Sequence, residues 1–281
     1  MVISNARLLA SLLTILLLTG CSSVFFYPDQ KQYSSPEELN PDYQALFLDT
    51  EDGGQIHAWW LPAKTRQTKG SVLFFHGNAQ NLSSHVINLA WLNQYGYNLL
   101  IFDYRGFGKS PGAPTVDKSF LDAQAAYDWL NERESGSIFI VGQSLGGALA
   151  SGFVAQRPAV AAQINGLIID ASFASYQRIA REKLSAAWIT WAFQYPLSWI
   201  VISGPDPDDN LAQLKGLPKF LIHSTRDEVI PFSHGQDLYT ASSPPKSRLI
   251  TDTPHGYTFM VRSNQQALLE FMAESQTKKP R

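Results

Sequence analysis

The chain has 281 residues, of which 44% are apolar and 12% aromatic, with a formal net charge of −2 at pH 7. This length admits one large domain or two small ones, and the apolar share is enough for a sizeable core. The near-neutral balance excludes a nucleic-acid footprint, and a single cysteine, Cys21, excludes an intramolecular disulfide.

The first twenty residues read as a targeting signal. Arg7 is a minimal positive segment and Leu8 to Leu18 is an apolar run. The run is too short for a membrane span, which needs about 20 residues. It ends in Leu18-Thr19-Gly20-Cys21, followed by Ser22-Ser23. That tetrapeptide resembles a bacterial lipobox, in which the cysteine thiol is diacylated and its amine freed by cleavage. The resemblance implies a lipid anchor on Cys21 that binds the protein to a membrane. Ser22 in place of Asp resembles the pattern of outer-membrane sorting, hence a cell-envelope location facing the periplasm. Ordinary signal-peptide cleavage and an uncleaved anchor are the alternatives. Residues 21–43, with Pro28, Pro36 and Pro41, read as a tether. Within it Val24, Phe25, Phe26 and Tyr27 are apolar enough to pack on the body or on lipid.

Residues 44–281 read as one domain. Gln44–Leu48 and Gln55–Leu61, joined by Glu51-Asp52-Gly53-Gly54, have the pattern of a β-hairpin. Short β-branched runs then alternate with amphipathic stretches. Strands are predicted at 71–75, 97–102, 138–141, 167–169, 220–223 and 248–251. Helices are predicted at 82–94, 119–132, 147–156, 232–240 and 265–274. The alternation predicts an α/β fold, with a mostly parallel sheet of eight strands and helices on both faces. Residues 172–212 interrupt it with Trp188, Trp191, Phe193, Tyr195 and Trp199. Their place between the sixth and seventh strands favours a small helical cap over ordinary aromatic packing.

Ile138 to Val141 runs into Gly142-Gln143-Ser144-Leu145-Gly146, and Gly147-Ala148-Leu149-Ala150 opens a helix. This strand–turn–helix context marks a nucleophile elbow, with Ser144 on the sharp turn. A serine hydroxyl needs a hydrogen-bonded base. Of six histidines, His57 lies in the hairpin, His85 in a helix and His223 in an apolar strand. His234 opens a helix and is expected to be solvated. His76 and His255 each follow a strand, and His255, before the last helix, stands on the same sheet edge as Ser144. His255 is the expected base. Asp227, after the strand 220–223, completes the chain order Ser144, Asp227, His255. Glu228 and Asp170 are weaker rivals for the acid. An oxyanion hole needs two backbone donors. The amide of Leu145 is one, and the loop His76-Gly77-Asn78-Ala79-Gln80-Asn81 offers the amide of Asn78.

The chain at this point resembles the α/β-hydrolase superfamily, and within it the Bem46-like branch. The residues that carry the resemblance are His76 to Asn81, the turn Asp103-Tyr104-Arg105-Gly106-Phe107-Gly108-Lys109-Ser110, the elbow, and the acid and base positions. It covers roughly residues 45–275 and implies that the Asp103–Ser110 turn is structural. It implies a serine hydrolase that cleaves an ester or thioester through an acyl-enzyme, with no metal or organic cofactor. An apolar cap and a lipid anchor together favour an acyl or lipid substrate, handled by a monomer. A peptidase or amidase on the same fold and a non-catalytic envelope lipoprotein are the alternatives.

Overall fold

The computed structural model describes residues 26–134, 136–186, 195, 198 and 205–277. Cys21 and the targeting signal lie outside the described residues, as do Trp188, Trp191, Phe193 and Trp199 of the expected cap.

Eight strands form one sheet: β1 (Gln44–Asp49), β2 (Gln55–Leu61), β3 (Gly70–Phe75), β4 (Tyr97–Phe102), β5 (Ile138–Gln143), β6 (Gly166–Asp170), β7 (Lys219–Ser224) and β8 (Lys246–Thr251). Their order is β1-β2-β4-β3-β5-β6-β7-β8. The β1–β2 and β2–β4 pairs are antiparallel, and all other neighbours are parallel. All eight strands fall where the alternation of the sequence puts them, with ends shifted by one or two residues. Their signal is strong because β3, β4, β5, β6 and β7 are buried along their whole length. A strand covered on both faces reads as one continuous apolar run. In β3, Leu73 and Phe75 enter one core while Val72 and Phe74 enter the other, following the two-residue period of the strand.

The principal helices are α1 (Pro36–Leu39), α2 (Leu82–His85), α3 (Val116–Arg133), α4 (Leu145–Ala155), α5 (Pro158–Gln163), α6 (Tyr176–Ala186), α7 (Pro207–Gln213), α8 (Phe232–Ala241) and α9 (Arg262–Thr277). Residues Leu145 to Val154 of α4 are all buried. Gly146 and Gly147 let this helix approach the sheet closely, and Gly152 makes room for Phe120 of α3. The helix expected over 82–94 is a correction: only α2 is α-helical, and Val86–Asn88 and Ala90–Tyr95 are tighter 3₁₀ turns. Asn93 donates to the carbonyls of Leu61 and Tyr97, and Asn88 donates to Gln143. These buried amides bind the segment to the sheet at points that regular α geometry does not supply.

The turn after β4 is fastened from both sides. Arg105 donates to Asp122 of α3 through Nε and Nη2, and to Asp52 of the β1–β2 turn through Nη1 and Nη2. Strand order reverses at β3, which lies between β4 and β5. The loops after β3 and β5 diverge there, and a crevice opens at the C-terminal ends of these strands.

Candidate active site

Ser144 follows the last residue of β5 and precedes α4, with φ 54° and ψ −121°. Few non-glycine residues adopt this conformation, which costs on the order of 1–3 kcal/mol. Neighbouring glycines make the turn possible. A Cβ on Gly146 would stand 2.1 Å from the Phe75 carbonyl oxygen, and one on Gly142 2.4 Å from that of Gly146. The Ser144 amide donates to Asp170 O at 2.8 Å, and Ser172 Oγ donates to Ser144 O at 2.8 Å. The turn is thus pinned from the neighbouring strand, and the Ser144 side chain faces a cleft.

His255 lies on the loop between β8 and the 3₁₀ turn Thr258–Met260. Its Nδ1 is 2.7 Å from Asp227 Oδ2, whose side chain has no exposure. The other oxygen, Oδ1, accepts the amides of Val229 and Ile230, both at 2.8 Å. Burial opposes ionisation of Asp227, but the bond to His255 and these amides outweigh it and hold the carboxyl below the usual range. An ionised Asp227 accepts the Nδ1 proton of His255 and leaves Nε2 as the basic nitrogen. Glu228, the rival acid, accepts only the His255 backbone amide, at 3.3 Å.

Asp170, the other rival, is buried beneath the turn. It accepts Thr258 Oγ1 at 2.7 Å and Gln143 Nε2 at 3.1 Å, and burial pushes its carboxyl up. Gln143 Oε1 accepts Asn88 Nδ2 at 3.0 Å. This polar chain links the elbow to the loops on either side, a bracing role that residue type and spacing do not reveal.

Ser144, His255, Gly77, Asn78, Gln143 and His85 line one open cleft of about 500 Å³. Gly77 brings the loop after β3 close to Ser144, since a Cβ there would stand 3.6 Å from Ser144 Cβ. Asn78 Oδ1 accepts the amides of Tyr27 and Ala79, and Ala79 and Gln80 adopt left-handed φ values of 63° and 58°. Leu145 is the first residue of α4, and the first amides of a helix have no intrahelical acceptor. Among the described residues, none from the region 172–212 lines the cleft.

The remaining histidines are buried or half-buried. His76 Nε2 and His57 Nδ1 each stand 3.5 Å from Asp103, which also accepts the Leu82 amide at 2.7 Å. Asp103 therefore ties β2, the loop after β3 and α2 together. His85 was missed as a cleft residue by sequence reading. It stacks on His76 at 5.2 Å, and burial together with His76 lowers its pKa to about 4. Its place just past the loop after β3 was the available signal. His234, expected in solvent, is fully buried: Nδ1 accepts the Ala174 amide and Nε2 donates to Glu182 on α6. Glu182 and Arg178 of α6 reach over that end of α8 and close it off from solvent. His223 Nε2 donates to Ile230 O at 3.0 Å and stands 3.7 Å from Asp227.

A family model described as serine aminopeptidase, S33, matches residues 66–213. The chain belongs to the α/β-hydrolase superfamily. It is 30% identical to the protein YfhR of Salmonella typhimurium over 272 residues, 89% of this chain and 88% of that protein. It is 25% identical to the protein bem46 of Schizosaccharomyces pombe, over 92% of this chain and 86% of that protein. Among solved structures, the Pyrococcus furiosus esterase Pf2001 superposes with a TM-score of 0.72 at 23% identity, covering 90% of this chain and 98% of that one. Est1E from Butyrivibrio proteoclasticus, bound to ferulic acid, gives 0.65 at 19%, covering 84% and 100%. At these identities the structures establish the fold of an α/β hydrolase.

Proposed function

We propose that this α/β hydrolase is a membrane-anchored serine hydrolase that cleaves an ester or thioester of acyl or lipid type. The observation that carries the reading is the Asp227–His255 pair at 2.7 Å on the same cleft as the strained Ser144. His255 Nε2 takes the Ser144 proton as Oγ attacks the carbonyl. The amides of Leu145 and Asn78 receive the developing oxyanion. As the tetrahedral species collapses, the carbon–oxygen or carbon–sulfur bond breaks and the imidazolium gives its proton to the leaving alcohol or thiol. Water, deprotonated by His255, then releases the acid and restores Ser144. The chemistry uses no metal or organic cofactor.

The chemistry of the cleft supports a neutral acyl substrate. Its described lining carries apolar Ile87, Met260 and Tyr257 beside amides and hydroxyls, and no Asp, Glu, Lys or Arg. The family description favours a second reading, an aminopeptidase. A fluorophosphonate probe tests the mechanism: the wild type labels and Ser144→Ala does not. Equal labelling of the two proteins would sink it. p-Nitrophenyl esters of rising chain length, run beside aminoacyl p-nitroanilides, test the substrate class, and a preference for the anilides would replace the ester reading. For the anchor on Cys21, Cys21→Ser moves the protein from the membrane fraction to the soluble one. If the variant stays bound and unprocessed, the anchor is the apolar run itself.

A further inference from the structure

Ten large apolar side chains are exposed among the described residues; four of them line the cleft, and two more, Tyr27 and Val261, belong to residues bonded to or next in the chain to its lining. Tyr33, Ile87, Tyr257 and Met260 line it. Tyr27 is fastened to its wall, and Val261 follows Met260. Tyr27 is 63% exposed, Tyr257 59% and Met260 49%. Exposed large apolar side chains gathered around one cleft mark an interaction surface.

The course of the chain says what covers it. Residues 26–34 form a strap over the loop after β3. Phe26 is buried edge-on against Phe107, with ring centroids 6.2 Å apart. The Tyr27 amide donates to Asn78 Oδ1 at 2.9 Å, and Pro28 bridges Gln80. Asn81 Nδ2 donates to Asp29 Oδ1 at 2.9 Å and to Lys31 O at 2.7 Å. The Gly108 amide donates to Asp29 O at 2.8 Å, and the Tyr33 amide to Ser83 Oγ at 3.0 Å. The strap is therefore part of the body, and the chain leaves it toward the N-terminus beside the cleft mouth. Cys21 is five residues before Phe26, and the apolar run 8–18 ends eight residues before it. At roughly 3.5 Å per residue these leashes reach at most about 18 Å and about 28 Å. Whether the anchor is an acyl chain on Cys21 or the run itself, it enters the bilayer close to the rim.

We propose that the cleft mouth is a lipid-docking face: Tyr27, Ile87, Tyr257, Met260 and Val261 rest on the bilayer to which the N-terminus is anchored, so that the cleft opens into the acyl–headgroup boundary. The proposal rests on the anchored-hydrolase reading and adds the orientation of the body. Tyrosine suits such a rim, since its ring sits among apolar groups while its hydroxyl stays wet. A docked mouth takes a lipid ester directly from the membrane, without transfer through water. The strap also connects the anchor to Asn78, so the group proposed to hold the oxyanion lies next to the membrane-facing edge.

Orientation is tested without relying on turnover. The full chain with its native N-terminus is reconstituted in vesicles of phosphatidylethanolamine and phosphatidylglycerol, with or without bromine-labelled acyl chains. An environment-sensitive fluorophore is placed at Ile87→Cys or Val261→Cys on the rim. It is placed at Lys69→Cys or Glu132→Cys on the opposite sheet edge, six residues of strand away. The parent chain reports any label on Cys21. An interfacial face sinks about 5–10 Å into the boundary, so brominated lipid reduces rim fluorescence roughly twofold and leaves the far edge unchanged. Unquenched rim labels on vesicle-bound protein overturn the docking face, and so does equal quenching at both edges. Fluorophosphonate capture of Ser144 in the same samples keeps the two claims apart. Capture with no rim quenching sinks the docking face alone. Rim quenching with no capture supports the face and sinks the hydrolase reading.

Discussion

Asp227 illustrates how much one side chain depends on its surroundings. Its Oδ1 is committed to the Val229 and Ile230 amides, so only Oδ2 faces His255. In Asp227→Asn the side-chain oxygen must keep those two amides, and the NH₂ group must then point at His255 Nδ1. The imidazole is forced to carry its proton on Nε2 and cannot act as a base. We expect kcat on a p-nitrophenyl ester to fall about 10⁴-fold, with little change in thermal midpoint. A loss below tenfold would mean that another group orients His255. The pairing of Asp227 with His255 is legible in the sequence from its place after β7 and the chain order. The two-amide cradle of Asp227 is not, because it depends on how the turn closes.

Among the elements, the loop after β4 joins the hairpin turn to α3. Arg105 is buried and bridges Asp52 on the β1–β2 turn and Asp122 on α3. Asp122 is fully buried, and burial raises its pKa despite the guanidinium. Removing the guanidinium leaves that buried carboxylate with the backbone amide of residue 105 and no counter-charge. Arg105→Met is expected to cost about 3–5 kcal/mol in urea unfolding, and adding Asp122→Leu should recover most of it. A double variant no more stable than the single one would show that the ion pair is not what joins these elements. The 3₁₀ segment after α2 belongs to the same scale. Its apolar spacing at Leu82, Val86, Leu89 and Leu92 fits a helix, while Asn88 and Asn93 bond to distant strands.

Across the whole molecule, three histidines are held neutral by burial. His85, His223 and His234 all have pKa values below 6.5, that of His85 reaching about 4. Their folded pKa values lie below the unfolded ones, so the unfolded chain takes up protons first. Their contribution is complete above about pH 6.5 and is lost as pH falls below it, for His85 down to about 4. The urea midpoint is therefore expected to drop between pH 7 and pH 5, before carboxylates with values near 4 titrate. A midpoint that is flat across that window would show that these imidazoles are solvated in the folded state.

The sequence by itself determined the sheet, the elbow and the order of Ser144, Asp227 and His255. These are local facts: buried strands are continuous apolar runs, and a sharp turn between strand and helix requires glycine where backbones touch. Tertiary structure alone decided what distant segments do to each other. It buried His234 under α6, brought His85 into the cleft, set Asp170 beneath the elbow and laid residues 26–34 across the loop that carries Asn78. The physical reason is that these contacts join residues up to 88 positions apart through single hydrogen bonds or ring contacts, which leave no period in the sequence.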